Sequence, residues 1–346
     1  MARTCLTVSF VLVGCLSCDS GGGDSCPGLP RAGESRDGSV DPPPASALGA
    51  SSGTGDPTPP PRVTAKAADP RTLRWKFRVG EKLRLQLSRK EEGVVRVGGA
   101  ETTKTKDRIT DASWEFLSVD NSGAATVLER YHRKRATIKS PEGTDRFDSA
   151  EVDGSLSREQ MAMKDAVLGM TFTFVIDTRG RISKASVDKE TVGRFERIPE
   201  LARYRTLLNE EGAKGAIENF IIPFPESAVA RGEAWKNSVV IAKPAGRQVM
   251  HLTLTYDGRV ARSGRTLDKI AWRGSLDLGS YGKDLGAKIV VTEDDNSGTF
   301  YFDGDKGRMA ESESRERGAY LVTFDDGRTV QVRESTMSTI RFTPSD

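Results

Sequence analysis

The sequence predicts a mainly β (α+β) fold: antiparallel meander sheets in two similar halves, with a helical insert between them. Three observations carry this. Apolar and polar residues alternate with period two over most of the chain after residue 70. Asp/Gly turn signals recur between the alternating runs. The period changes to helical spacing only around residues 157–222.

The chain has 346 residues, 36% of them hydrophobic, and a formal net charge of +3. Its first seventy residues differ from the rest. They hold all four cysteines (Cys5, Cys15, Cys18, Cys26) and the runs "DPPPAS" and "DPTPPPR". They also carry 5 of the 52 basic and 7 of the 49 acidic residues, leaving 47 against 42 for residues 71–346. That small excess is dispersed. Its densest cluster, "RYHRKR" (Arg130 to Arg135), reads as a solvated strand face, so no nucleic-acid partner is expected.

Residues 1–14 read as a lipoprotein signal peptide. Arg3 supplies the basic end, and Leu6 to Val13 form an apolar stretch too short to span a bilayer. Leu12-Val13-Gly14-Cys15 has the form of a bacterial lipobox, in which a cysteine thiol takes the lipid and small neighbours admit the peptidase. Cys15 is therefore the expected lipid attachment. Cys18 is a rival, but its −3 position is Cys15 rather than Leu. The alternative is an ordinary secretory signal, and both readings export the chain. Two acyl chains anchor firmly because each buried methylene contributes about 0.8 kcal/mol. Residues 15–70 are Gly-, Ser- and Pro-rich, and cannot bury enough surface to offset their ordering entropy. They read as a disordered tether of roughly 40 Å r.m.s. reach.

Residues 71–190 form the expected first β half. "TLRWKFRV" places Leu73, Trp75, Phe77 and Val79 on one face, and "EKLRLQLS" does so with Leu83, Leu85 and Leu87. Residues 225–346 form the second, where "DKIAWRGSLDLG" aligns Ile270, Trp272, Leu276 and Leu278. Asp, a spacer and Gly-Arg recur four times, at Gly180 ("FVIDTRGRIS"), Gly258 ("LTYDGRVAR"), Gly307 ("YFDGDKGRMAES") and Gly327 ("VTFDDGRTVQV"). Asp supplies a side-chain acceptor and Gly a positive φ, so each is expected to be a hairpin turn. "SVDNSGAATV" (Asp120 to Gly123) and "TEDDNSGTFYF" (Asp295 to Gly298) repeat a second turn signal. Gly80-Glu81 and Gly232-Glu233 open the two halves, which suggests an old duplication.

Between the halves, "SREQMAMKDAVLG" predicts a short helix from Ser157, closed by Gly169, with Met161, Met163, Ala166, Val167 and Leu168. Residues 191–224 are the helical insert. One helix is expected from Pro199, with Leu201, Tyr204, Leu207 and Leu208 in register, broken at Gly212. A second should run to Ile222 and stop at Pro223 and Pro225.

At "FPESAVARGEAW" the chain resembles a family of uncharacterised bacterial cell-envelope proteins, often lipoproteins, built on a domain of unknown function. The family pattern Pro-Glu-x-x-Val-x-x-Gly-Glu-x-Trp stands here as Pro225, Glu226, Val229, Gly232, Glu233 and Trp235. "VGEKLRLQLS", "DASWEFLSVDNSGAATVLERY", "FDSAEVD" and "LGMTFTFVIDTRGRIS" resemble its first half, so the likeness covers residues 73–342. It implies export and a β-rich fold, and no catalytic residue.

The residues themselves point away from enzymatic chemistry. His132 and His251 have no Cys, Asp or Glu at ligand spacing and read as exposed strand histidines. There is no Gly-x-Ser-x-Gly elbow, no cysteine after Cys26 and no glycine-rich loop opening a helix. "TEDDNSG" and "DGDKG" lack the final Glu of a calcium loop. Glu210–Glu211 and Asp294–Asp295 are sequence neighbours, and neighbours diverge on a strand or helix. No catalytic residue, metal ligand or cofactor is expected. The expectation is non-enzymatic binding of a hydrophobic ligand or envelope component, at a membrane where the anchor meets lipid and the body faces the periplasm or exterior. The competing expectation is a scaffold for envelope proteins. A cavity of a few hundred Å³ between sheet and helices would favour the first.

Overall fold

A computed structural model describes residues 70–151, 158–198, 208–218, 220–243, 246–279 and 287–345. The signal peptide, Cys15, Cys18 and the tether to residue 69 lie outside them, as do Ser157 and the start of the helix expected from Pro199.

The strands are β1 (Lys82–Val97), β2 (Ala100–Val119), β3 (Ala125–Ser140), β4 (Gly143–Asp148), β5 (Thr171–Ile176), β6 (Ile182–Val187), β7 (Ala234–Lys243), β8 (Gly246–Arg262), β9 (Arg265–Asp277), β10 (Ala287–Asp303), β11 (Arg308–Phe324) and β12 (Thr329–Pro344). The helices are α1 (Arg158–Val167), α2 (Lys189–Glu196) and α3 (Glu210–Glu218). All twelve strands join one antiparallel sheet in the order β6-β5-β3-β2-β1-β12-β11-β10-β9-β8-β7, with β4 on the outer half of β3. Walked from β7, the sheet is crossed in chain order to β12, then from β1 to β6. Both meanders therefore run in the same sense, and they fuse where Leu83 to Val97 pair with Pro344 to Val330.

The sheet curls back on itself. Laid flat, its eleven-strand path would span about 50 Å. Yet α3, only about 14 Å long, packs against both end strands, β6 and β7. The helix fills the gap between them because its inward residues are small: Gly212, Ala213 and Gly215 are buried beside Ile217.

The two Gly-Glu openings have one geometry. Gly80 N donates to Phe116 O while Phe116 N donates to Glu81 O; Gly232 N donates to Tyr256 O while Tyr256 N donates to Glu233 O. A bulge follows each partner, at Leu117 in β2 and Asp257 in β8. This likeness extends the repeat read from the sequence.

Several expectations are corrected. Gly258, with φ 97°, belongs to that β8 bulge rather than to a turn. "TEDDNSG" lies within β10, where Asp294 accepts from Leu276 N on β9 at 2.6 Å. The other Asp/Gly signals are turns, at Gly123, Gly180, Gly307 and Gly327, and in each an Asp carboxylate accepts a nearby backbone N–H. "TLRWKFRV" is extended but outside the sheet. Trp75 N donates to Thr178 O and Lys76 N to Gly307 O, so two of its N–H groups are taken up by turns. Leu73 and Trp75 still face the core, whereas Val79 is 65% exposed. Gly212 lies inside α3 instead of breaking a helix, and α3 ends at Glu218 rather than Ile222. Helix α2 was not expected. Asp188 caps it, accepting from Thr191 N, and Thr191 and Phe195 bury one face.

Candidate functional site: an internal cavity

Because side chains alternate across a strand, β1 sends Leu83, Leu85, Leu87, Arg89 and Glu91 inward in succession. The same change from apolar to polar repeats on its neighbours. On β12 the series is Phe342, Ile340, Ser338, Thr336; on β2 it is Trp114, Ala112, Thr110, Arg108. The interior is consequently apolar at one end and polar further along. Beyond the polar belt, Val95, Val330, Val332 and Tyr320 form a second apolar cluster.

The apolar end is built on aromatic contacts. Trp114 meets Phe174 and Phe342 edge-on, each at 5.2 Å, and Phe224 meets Phe302 at 4.7 Å. Helix residues Val167 and Phe195, and Ile221 and Ile222 after α3, cover it. Between these layers lies a cavity of about 240 Å³. Phe172, Phe195, Phe220, Trp272 and Phe300 are among the residues of its apolar part, and Arg89, Arg108, Glu129 and Gln248 among those of its polar part. Small-molecule sites are of this type, largely apolar with a few convergent polar groups.

The belt residues hold one another. Arg108 is ion-paired with Glu91, and Arg89 donates through Nε to Ser338 Oγ at 3.0 Å. Two carboxyls are less well served. Glu129, 2% exposed, is pushed up to about 7 by burial, which the Trp114 indole beside it only partly offsets. Burial also raises Glu218, with Lys214 acting against it.

Cys15 lies outside the described residues. His132 and His251 are exposed and do not line the cavity, although Tyr131, Met250 and Leu252 beside them do; they are bonded to Ser113 Oγ at 2.7 Å and Ser238 Oγ at 2.9 Å. Within "RYHRKR", Lys134 is a correction: it is 4% exposed and lines the cavity, because the bulge between Ala112 and Asp111 turns it inward. Glu211 pairs with Arg247 at 2.5 Å. Among the described residues no group of three His, Cys, Asp or Glu could hold a metal ion. Sequence reading found no cavity residue as such, since Arg89 and Ser338 look solvent-facing until their shared parity with Leu85 and Ile340 is seen.

The resemblance motif is a structural knot. Arg74 donates to Pro225 O at 2.9 Å and Glu226 O at 2.5 Å; Val229 bridges Arg71; Trp235 Nε1 donates to Pro223 O at 3.0 Å. Together these bonds pin the segment that covers the cavity.

No protein-family model matches the chain, and neither does any curated protein. Among solved structures the chain is similar to lipovitellin, described for its lipid–protein interactions, at 10% identity and TM-score 0.43. That alignment covers 78% of this chain, which spans about a quarter (26%) of the lipovitellin chain. An outer membrane channel from Pseudomonas putida F1 aligns over 80% of this chain and all of its own (6% identity, TM-score 0.24). The translocator domain of the autotransporter NalP from Neisseria meningitidis aligns over 75% and 88% (8% identity, TM-score 0.19). These likenesses are too distant to bear on function. Lys82, Arg84, Arg333 and Arg341 stand exposed on the outward face of β1 and β12, where a membrane-spanning barrel carries an apolar band. No helix among the described residues is long and apolar enough to cross a membrane.

Proposed function

We propose that this protein is an exported, lipid-anchored carrier that binds a hydrophobic or amphiphilic ligand without transforming it. Cys15 bears the anchor, residues 15–70 are the leash, and the β body holds the ligand between sheet and helices. The observation that carries this reading is the cavity, walled by aromatic side chains from both meanders and covered by α1, α2 and the segment after α3. A scaffold would have its interior filled.

The test is native mass spectrometry of the full chain purified without detergent. A bound lipid mass is expected, and Ala112→Phe, which fills the cavity, should remove it while cooperative unfolding persists. A ligand-free wild-type protein that also takes up no added apolar fluorophore overturns the reading. For the anchor, labelled palmitate should enter the wild type and Cys18→Ser but not Cys15→Ser.

A further inference from the structure

We infer that the ligand of this cavity carries an ammonium group on an apolar body, and that the Glu129 carboxylate is the group that receives it. The inference rests on the carrier reading and specifies its ligand class.

Glu129 lines the cavity and is 2% exposed to solvent. Alternation along β3 turns it inward between Val127 and Tyr131. Its cross-strand neighbours are Trp114 on β2 and Phe172 on β5, and the same row continues to Leu83 on β1 and Val187 on β6. Tyr131 stands next along the strand, its ring 5.9 Å from that of Phe172. On the helical side the lining is Val167, Met170 and Phe195. Glu129 is thus a single acid set in an apolar, aromatic stretch of wall. Its carboxyl oxygens, unlike the indole nitrogen of Trp114, are open to the cavity rather than sealed in that wall.

No lysine or arginine among the described residues offsets its charge; the Trp114 indole alone favours the ionised form, against a larger cost of desolvation. The belt cations stand elsewhere. Arg89 faces Arg108 across β1 and β2, and along β1 it lies about 20 Å from Leu83 in the row of Glu129. Lys134 is beside Thr110, between the two levels. A carboxylate buried without a counter-ion is costly, and a cation carried in by a ligand removes that cost. Ammonium–carboxylate hydrogen bonds are among the strong ones, and the faces of Trp, Tyr and Phe attract cations. A ligand carboxylate or phosphate would be repelled here, and a hydroxyl would leave the charge unneutralised.

The experiment displaces N-phenyl-1-naphthylamine, an apolar probe uncharged at pH 8, from the full chain at that pH. The competitors share one alkyl chain: dodecylamine, which is protonated there, dodecanol and dodecanoate. Dodecylamine should bind about tenfold tighter than dodecanol, with dodecanoate the weakest. Glu129→Gln should abolish the preference for dodecylamine, while a urea midpoint no lower than that of the wild type shows the fold intact. If dodecanol or dodecanoate competes as well as dodecylamine, or if the preference survives Glu129→Gln, the ammonium inference is overturned while the carrier reading stands. If the wild type does not bind the probe, both fall.

Discussion

Gly180 lies so close to Trp75 that a β-carbon on it would sit 2.8 Å from the indole Nε1, and 2.7 Å from the Ile222 carbonyl oxygen. The turn between β5 and β6 thus clasps the strand-like N-terminal segment and the segment covering the cavity at one point. Arg179 completes the clasp: its O accepts from Phe224 N at 2.7 Å, and its Nε donates to Phe224 O at 3.0 Å.

Gly180→Ala should therefore destabilise the fold by about 2–4 kcal/mol, combining a left-handed backbone (φ 83°) with a clash on backbone oxygen. Gly232→Ala is the control. Its φ is similar at 89°, but open space surrounds it, so about 1 kcal/mol is expected. Urea denaturation of the two variants separates strain from crowding.

Gly298→Ala probes the cavity wall without a dihedral penalty. Its β-carbon would meet Glu313 O as well as the Trp272 ring, so that ring must move. A shifted tryptophan emission spectrum and weakened uptake of an apolar fluorophore are the expected outcomes, with a stability loss of about 1–3 kcal/mol.

Glu129 makes stability depend on pH. Its carboxyl is held at about 7 in the fold against 4.5 in its absence, so the folded state binds the extra proton between those values. Stability should fall as pH rises from about 4.5 to 7 and then level off. Glu129→Gln should flatten that slope and raise neutral-pH stability by about 2–3 kcal/mol. Thermal melts across pH 4–8 decide this; an unchanged slope in the variant contradicts it.

Asp188 has the opposite sign. Burial alone would raise its carboxyl, but hydrogen bonds from Thr171 and Thr191 outweigh it and hold the group at about 2. Its contribution is present above about pH 4 and is lost as pH falls through 2. Asp188→Ala should cost about 1–2 kcal/mol at neutral pH, the usual loss for a helix cap, read from the urea midpoint.

What the sequence made legible was whatever repeats at short range. Alternation in Leu83, Leu85, Leu87 and in Ile270, Trp272, Leu276 marked inward faces correctly. Gly80-Glu81 and Gly232-Glu233 marked two equivalent hairpins. The bulge at Asp257 was misread because Asp-Gly suits a turn and a bulge equally, and only the pairing of β8 with β9 decides between them. "TEDDNSG" was misread because Asp294 and Asn296 turn inward and bond each other and β9, a compensation invisible without the partner strand. The cavity stayed hidden for the same reason. Arg108 and Ser338 share a wall only through register between strands more than two hundred residues apart.

The seam between β1 and β12 has a kinetic consequence. β1 gains its neighbour on the far flank only once β12 (Thr329–Pro344) has been made, since that strand is its partner there. Joining the two meanders is thus a slow step, since it pairs strands more than two hundred residues apart in the chain. Until then two half-shells with open, adhesive rims exist side by side, and a nascent molecule is at its most vulnerable to self-association.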